Sequence, residues 1–166
     1  VKRRTPEQIA RDVALGKWIE AQLARHLPDV FVANPDGLGA DWELPVCRIE
    51  VKTKLQPLSD AWDVPDVEHH VVVDELSFRR SVHQGGPTWW VIHDVTTGKW
   101  HLAHICMLAC LPRHRRIRNG RGKLLFDLRD IPSYPVSKLW AQIRKEMEEK
   151  PWQHPGAVGN QKPPVA

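Results

Sequence analysis

The stretch Gly39-Ala-Asp41-Trp-Glu-Leu-Pro-Val-Cys-Arg-Ile-Glu50-Val-Lys52-Thr-Lys decides the fold, because two carboxylates and a lysine arrive together on what reads as one β-hairpin. Successive strand side chains point to opposite faces, so residues two apart share a face. Arg48, Glu50, Lys52 and Lys54 therefore lie on one side; Cys47, Ile49, Val51 and Thr53 lie on the other, the expected buried side. Before the turn, Trp42 and Leu44 supply the apolar face and Asp41 and Glu43 the polar one. A tight turn at Leu44-Pro45 pairs Asp41 with Arg48 and sets Glu50 on the diagonal of the same face, close enough for one cation to bridge both acids.

Two protein carboxylates with open positions around them suit Mg²⁺ or Mn²⁺, which keep waters and accept phosphate oxygens as further ligands. Lys52, one pleat beyond Glu50, would sit beside such a cation, where it can hold a scissile phosphate or an attacking water and offset charge in the transition state. Glu-x-Lys alone is a weak signal, since ordinary composition produces it in about half of chains this long. An alternating charged face is also most often a solvated one. Two neighbouring features add weight. Asn34-Pro-Asp-Gly-Leu-Gly-Ala-Asp41 puts glycines just before the first acid, which permits a turn and close approach of a nucleic-acid backbone. Leu15, Ile19, Leu23 and Leu27 recur every four residues and mark an amphipathic helix, with Glu20 at the edge of its apolar stripe. Glu20 is either a third acid over the hairpin or a solvated helix glutamate.

Gly16-x-x-x-Glu20 on a helix, then Asp36-x-x-Gly39-x-Asp41, then Ile49-Glu50-Val-Lys52-Thr resembles the PD-(D/E)xK nuclease superfamily over residues 6 to about 105. Within it the pattern is most similar to archaeal-type Holliday junction resolvases and related resolvase-like domains. The resemblance implies an α/β fold, a restriction-endonuclease-like core with a central mixed β-sheet flanked by helices. It implies Mg²⁺, with Mn²⁺ able to substitute, held by Asp41, Glu50, the Val51 carbonyl and Glu20. Lys52 is then catalytic, and the activity is cleavage of DNA, with branched DNA such as a junction as the favoured substrate. The Gln-x-x-x-Tyr that RecB-like exonucleases carry after Glu-x-Lys is missing, which argues against processive end-resection. A second function from another class, a nucleic-acid-binding module that keeps the fold without cutting, fits less well. Clustered acids repel DNA unless a cation is present.

The chain has 166 residues, enough for one domain with a proper core, and a formal net charge of +4 that favours polyanionic partners. Arg113-His-Arg-Arg-Ile-Arg-Asn-Gly-Arg-Gly-Lys123 reads as a basic loop for phosphate contact through Arg113, Arg115, Arg116, Arg118, Arg121 and Lys123. A helix from about Val73 to His83 presents Arg79 and Arg80, either to phosphate or to solvent. Thr5-Pro6 starts a helix running to about His26, a short strand follows at 30–33, and residues 55–66 read as a loop. Thr88–Val95 and Lys99–Ile105 flank Thr96-Thr-Gly98 as a hairpin, and Leu124–Leu128 is a strand. Val136, Leu139, Trp140, Ile143 and Met147 give an amphipathic helix over 135–150, which either closes the core or pairs with a second subunit, leaving a homodimer open. The nuclease-like domain is thus expected over residues 1–150, with a disordered tail over 151–166.

Cys47, Cys106 and Cys110 are expected as buried thiols of a reducing cytoplasm, without zinc, since Cys106-x-x-x-Cys110 lacks a second ligand pair. No secretory signal or membrane span is expected. His101 and His104, three apart on a strand, face opposite ways and make no metal pair. Trp18, Trp42 and Trp140 are expected in the core, Trp62 and Trp152 in loops where they stack on bases or pack on a partner.

Overall fold

The computed structural model describes residues 5–27, 32–33, 42–43, 47–84 and 87–149. In chain order the elements are α1 (Pro6–Ala24), β1 (Val32–Ala33), β2 (Trp42–Glu43), β3 (Arg48–Lys54), β4 (His70–Asp74), α2 (Glu75–His83), β5 (Thr88–Asp94), β6 (Lys99–His104), α3 (Ile105–Cys110), β7 (His114–Arg118), β8 (Arg121–Asp127), β9 (Ser133–Tyr134) and α4 (Leu139–Glu149). The 150–166 segment, with Trp152, lies outside the described residues, as do Asp36 and Asp41.

Helix α1 starts where the sequence says it should. Thr5 Oγ1 accepts from the Gln8 N–H at 3.3 Å and Gln8 Oε1 accepts from the Thr5 N–H at 2.9 Å, a reciprocal cap, and Pro6 occupies the first turn, where an N–H would be orphaned anyway. Ile19 and Leu23 are fully buried. Trp18, expected in the core, is 56% exposed. One residue is about 100° of helix, and that step from Ile19 carries Trp18 out of the narrow apolar stripe.

Among the described residues six strands form a mixed sheet in the order β1-β2-β3-β5-β6-β9, with β3 and β5 parallel and the other pairs antiparallel. The parallel pairing follows from the crossover between them, which runs through β4 and α2. The hairpin expected at 88–105 is present as β5 and β6, with Gly98 at φ +68° in the turn. A second, antiparallel sheet has the order β4-β8-β7. The architecture is mixed α/β, a central mixed sheet flanked by helices.

Three expectations for the second sheet need correction. The helix placed at Val73–His83 begins at Glu75, because His70-Val-Val-Val-Asp74 is a β-branched strand and Asp74 caps the helix, its Oδ1 accepting from the Leu76 N–H at 3.0 Å. Residues 113–123, read as a loop, are most of the β7–β8 hairpin. Asn119 and Gly120 turn it with φ of 51° and 72°, the left-handed pair that a two-residue hairpin turn requires. Strand β8 accordingly begins three residues before Leu124, at Arg121.

Parity along β3 holds, but both of its faces are covered. Ile49 and Val51, with Trp89, Val91, Trp100 and Leu102, pack against Ile19 and Leu23 of α1 and Leu139 and Ile143 of α4. Helix α4 thus closes this core. On the other face Trp90, Ile92 and Ala103 pack against Val71, Val73, Leu124 and Phe126 of the second sheet, Phe78 of α2 and Leu108 of α3. Residues 58–67 cover the far side of the second sheet, where Leu58, Trp62, Val64 and Val67 surround Leu125 and Val72. Trp62 packs there within the chain itself. Cys47 is buried, and burial pushes its thiol up to about 11. Cys106 and Cys110, expected to be buried, are exposed, because α3 turns Ile105 and Leu108 inward instead.

The second sheet is tied to α2 through Glu75. Its carboxylate accepts from Arg79 at 2.7 Å and from Arg115 at 2.8 Å. Burial raises its pKa, but the two guanidiniums outweigh that and hold it below the ordinary value. Gly122 approaches so closely that a Cβ there would fall 1.8 Å from Glu75 Oε2. Gly122→Ala is therefore expected to displace the carboxylate from Arg115 and cost about 1 kcal/mol, at the low end for overpacking because the group that moves ends a flexible side chain, read as a lower midpoint in urea unfolding; an unchanged midpoint would refute the close approach.

Among the described residues no helix is long and apolar enough to cross a membrane.

Candidate active site

Glu50 and Lys52 project from the β3 face that meets α2 and the second sheet. The Glu50 side chain is 8% exposed and that of Lys52 25%, and the Lys52 ammonium is paired with Glu50 Oε1. Lys52 Nζ also lies 5.4 Å from the centroid of the Trp90 ring. Trp90 is Glu50's neighbour in the parallel register, and its indole N–H donates to Ser81 Oγ at 3.2 Å, which fixes α2 beside the pair. The result is a buried carboxylate with an aromatic neighbour, paired to an ammonium that solvent can reach. The face was expected to be a polar surface. It is an interface between layers, so Glu50 interacts with positive charge at lower effective dielectric than a surface acid would.

The β2–β3 register differs from the expected one by two residues. Trp42 pairs with Ile49 and Glu43 with Arg48, so Arg48 lies opposite Glu43 and not Asp41; residues 44–46 lie outside the described residues. Asp41 lies outside the described residues; the residue that follows it pairs with the residue that precedes Glu50. Val51 sits between Glu50 and Lys52 in the ladder opposite Val91, its side chain in the first core. Glu20 is half-buried on α1, the helix that covers the Ile49 and Val51 face, whereas Glu50 projects from the opposite one. Among the described residues no group of three or more His, Cys, Asp and Glu stands close enough to hold a metal ion. The cation site expected from the sequence thus turns on Asp41.

Lys54, one pleat beyond Lys52, has a different setting, which the sequence did not distinguish. It is buried, 3.5 Å from Asp94 Oδ2, and also donates to the Glu68 carbonyl. Asp94 in turn accepts from the Thr96 N–H at 3.0 Å and the Thr96 hydroxyl at 2.6 Å. Burial pushes the Asp94 carboxyl up, and these hydrogen bonds with the Lys54 charge bring it below its ordinary value. Only the long-range register, Lys54 opposite Asp94, separates this lysine from Lys52.

Most of the basic residues expected to contact phosphate are hydrogen-bonded to other groups of the chain while staying at its surface. Arg79 and Arg115 hold Glu75, and Lys123 donates to Asp74 Oδ2 at 2.8 Å. Arg116 donates to the carbonyls of Trp62, at 3.0 Å, and Asp63. Arg118 donates to the Ala61 carbonyl and stacks over the Trp62 ring at 4.7 Å. Arg113 donates to the carbonyls of Ala109 and Leu111. Arg80 and Arg121 are exposed and carry no such bond among the described residues. A guanidinium has five N–H donors, so the engaged arginines keep donors for phosphate, at reduced freedom.

His101 and His104 do face opposite ways. His101 Nδ1 is bonded to the Ile131 carbonyl at 2.8 Å, and His104 Nδ1 accepts from the Cys106 N–H at 3.2 Å, capping α3.

No protein-family model matches the chain, and no curated protein matches it. Among solved structures, D212, a nuclease from a fusselovirus, is similar to this chain at 10% identity and a TM-score of 0.48, over 90% of this chain and 98% of that one. A likeness of that depth carries no inference about function.

Proposed function

We propose that the chain is a Mg²⁺-dependent endonuclease that hydrolyses DNA phosphodiester bonds, with Glu50 and Lys52 at its catalytic centre. The observation that carries this is the Glu50 carboxylate, buried on a sheet face with the Lys52 ammonium paired to it. A buried carboxylate is stable only beside positive charge, and a hard oxygen donor of this kind fits Mg²⁺ or Mn²⁺. Glu50, Asp41 and the Val51 carbonyl would hold the cation; Glu20, whose helix covers the opposite face of β3, is left out of the ligand set. When bound, the cation would polarise the phosphate and make a bound water more acidic. Lys52 is placed to donate to a phosphate oxygen or to the attacking water, and Trp90 keeps the lysine stem over an apolar floor. Arg80 and Arg121, with whatever donors Arg79, Arg113, Arg115, Arg116, Arg118 and Lys123 can spare, would draw in the DNA backbone. Preference for junctions or branched DNA rests on the superfamily resemblance.

The test is cleavage of labelled linear duplex, single-stranded, flap and four-way-junction DNA in Mg²⁺, Mn²⁺ or EDTA. Cutting in either metal and none in EDTA is expected, and the substrate cut fastest names the preferred structure. Tight binding with no cutting on any substrate would replace the nuclease with the non-cleaving binding module.

A further inference from the structure

The Thr88 hydroxyl is fully buried and has no hydrogen-bond partner among the described residues. A buried hydroxyl left unpaired costs stability, and a valine would fill nearly the same space without that cost. Its place in the sheet shows which group it can serve. In the parallel register Arg48 lies opposite Thr88, Glu50 opposite Trp90, Lys52 opposite Ile92 and Lys54 opposite Asp94. All eight side chains belong to one face by parity.

At the far end of this double row the ion pair between Lys54 and Asp94 shows that opposed side chains reach each other across it. At the near end Thr88 is flanked by Arg48, directly opposite, and Glu50, one diagonal step away, a separation that long side chains span. Arg48 has only donors, so it can serve the Thr88 lone pairs and never its hydrogen. Among the described residues of this double row, Glu50 is the carboxylate acceptor within that reach. His93 Nδ1 is also buried without a partner, but His93 belongs to the opposite face, stacked 4.2 Å from Trp100.

We propose that Thr88 is a positioning residue for the Glu50 carboxylate, donating its hydroxyl hydrogen to Glu50 and so holding the carboxylate in the orientation that receives a divalent cation. This rests on the metal-dependent reading of Glu50. In the structure Lys52 holds one carboxylate oxygen. A cation arriving at Glu50 repels that ammonium, and the carboxylate then loses that contact. A turn of the Glu50 side chain toward β5 would bring its carboxylate to the Thr88 hydroxyl, whose rigid β-branched stem on a central strand limits where the carboxylate can then turn. Thr88 reaches neither substrate nor cation in this scheme; it acts through Glu50.

The test is Mn²⁺ binding to the full chain without DNA, followed by titration calorimetry and by the electron-spin signal of free Mn²⁺. Wild type is compared with Thr88→Val, Thr88→Ser and Glu50→Gln, with thermal melting of each. Glu50→Gln defines the binding that belongs to this site. Thr88→Val is expected to melt no lower than wild type yet bind Mn²⁺ about tenfold more weakly, the scale of one hydrogen bond to a charged group. Thr88→Ser restores the hydroxyl and is expected to restore the affinity. Wild-type affinity in Thr88→Val, or a Thr88→Ser as weak as Thr88→Val, overturns the role of Thr88 while leaving the metal site standing. If Thr88→Val fails to fold, Thr88→Ala, which adds no atoms, is read in its place by the same criteria. A wild type that shows no Glu50-dependent Mn²⁺ binding sinks the metal reading itself, and the role of Thr88 with it.

Discussion

Glu50→Gln is expected to slow metal-dependent DNA cleavage by at least about 10³-fold, the loss of several kcal/mol of transition-state stabilisation, while leaving the fold intact. The amide has the shape of the carboxylate it replaces, so packing against Trp90 and α2 is preserved. Lys52 loses its partner, but its side chain is 25% exposed and its ammonium can turn to water without being stranded. Lys52→Met is the companion variant. It keeps an unbranched stem over the Trp90 ring and deletes the charge, and a loss of about 10²- to 10³-fold is expected, as for removal of one donor to a developing negative charge. Single-turnover rates at saturating Mg²⁺, with thermal melting alongside, decide the matter. Either variant cutting at the wild-type rate would remove that residue from the catalytic centre, and a large fall in melting temperature would mean that the lost rate reports lost structure.

Lys54→Met should do the reverse, lowering stability by about 3 kcal/mol, at the low end of the 3–5 typical for breaking a buried pair from one side. For a chain of this size that corresponds to roughly 6–12 °C in melting temperature. The cost comes from Asp94, left buried without its counter-charge, and from the Glu68 carbonyl, which loses its donor. The figure is low because Asp94 keeps the Thr96 N–H and hydroxyl. Adding Asp94→Asn to Lys54→Met should recover part of the loss, since both charges are then gone and no ion is stranded. The dependence on pH has a definite sign. The Asp94 carboxyl is depressed in the folded wild type, so the stability it contributes is present above the unfolded value near about 4 and lost as pH falls through the folded one. The deficit of Lys54→Met should therefore narrow below about pH 4. Urea unfolding at pH 7 and pH 3 measures this, and an equal deficit at both would show that the ion pair is not what Lys54 contributes.

The two lysines mark how far local sequence reaches. Lys52 and Lys54 are two residues apart, identical in type and on the same face, yet one is a solvent-accessible partner of Glu50 and the other a buried brace. Nothing within the strand tells them apart. The difference lies 40 residues away, in Ile92 opposite one and Asp94 opposite the other. The basic segment 113–123 shows a different failure. Asn119-Gly120 was a visible hairpin signal, but six basic residues without an acid invited a loop assignment. Arg115, Arg116, Arg118 and Lys123 find acceptors in the carbonyls of Ala61, Trp62 and Asp63 and the carboxylates of Asp74 and Glu75, all in segments distant in sequence.

What the chain determined by itself was its set of local periods and punctuation. The Thr5-Pro6 start of α1, the four-residue spacing of Leu15, Ile19 and Leu23, the alternation along β3, the Thr96-Thr-Gly98 turn and the apolar stripe of α4 each arise from the covalent geometry of a few neighbouring residues, and each could be read directly. Tertiary structure alone decided that the charged face of β3 would be covered, that Thr88 would share that face with Glu50, and that Arg79, Arg115, Arg116 and Arg118 would be bonded to other groups of the chain. These follow from the parallel register of β3 with β5 and from the second sheet closing over Trp90 and Ile92. Such pairings are selected by how much apolar surface they bury across dozens of residues of intervening chain, a quantity that no local period records.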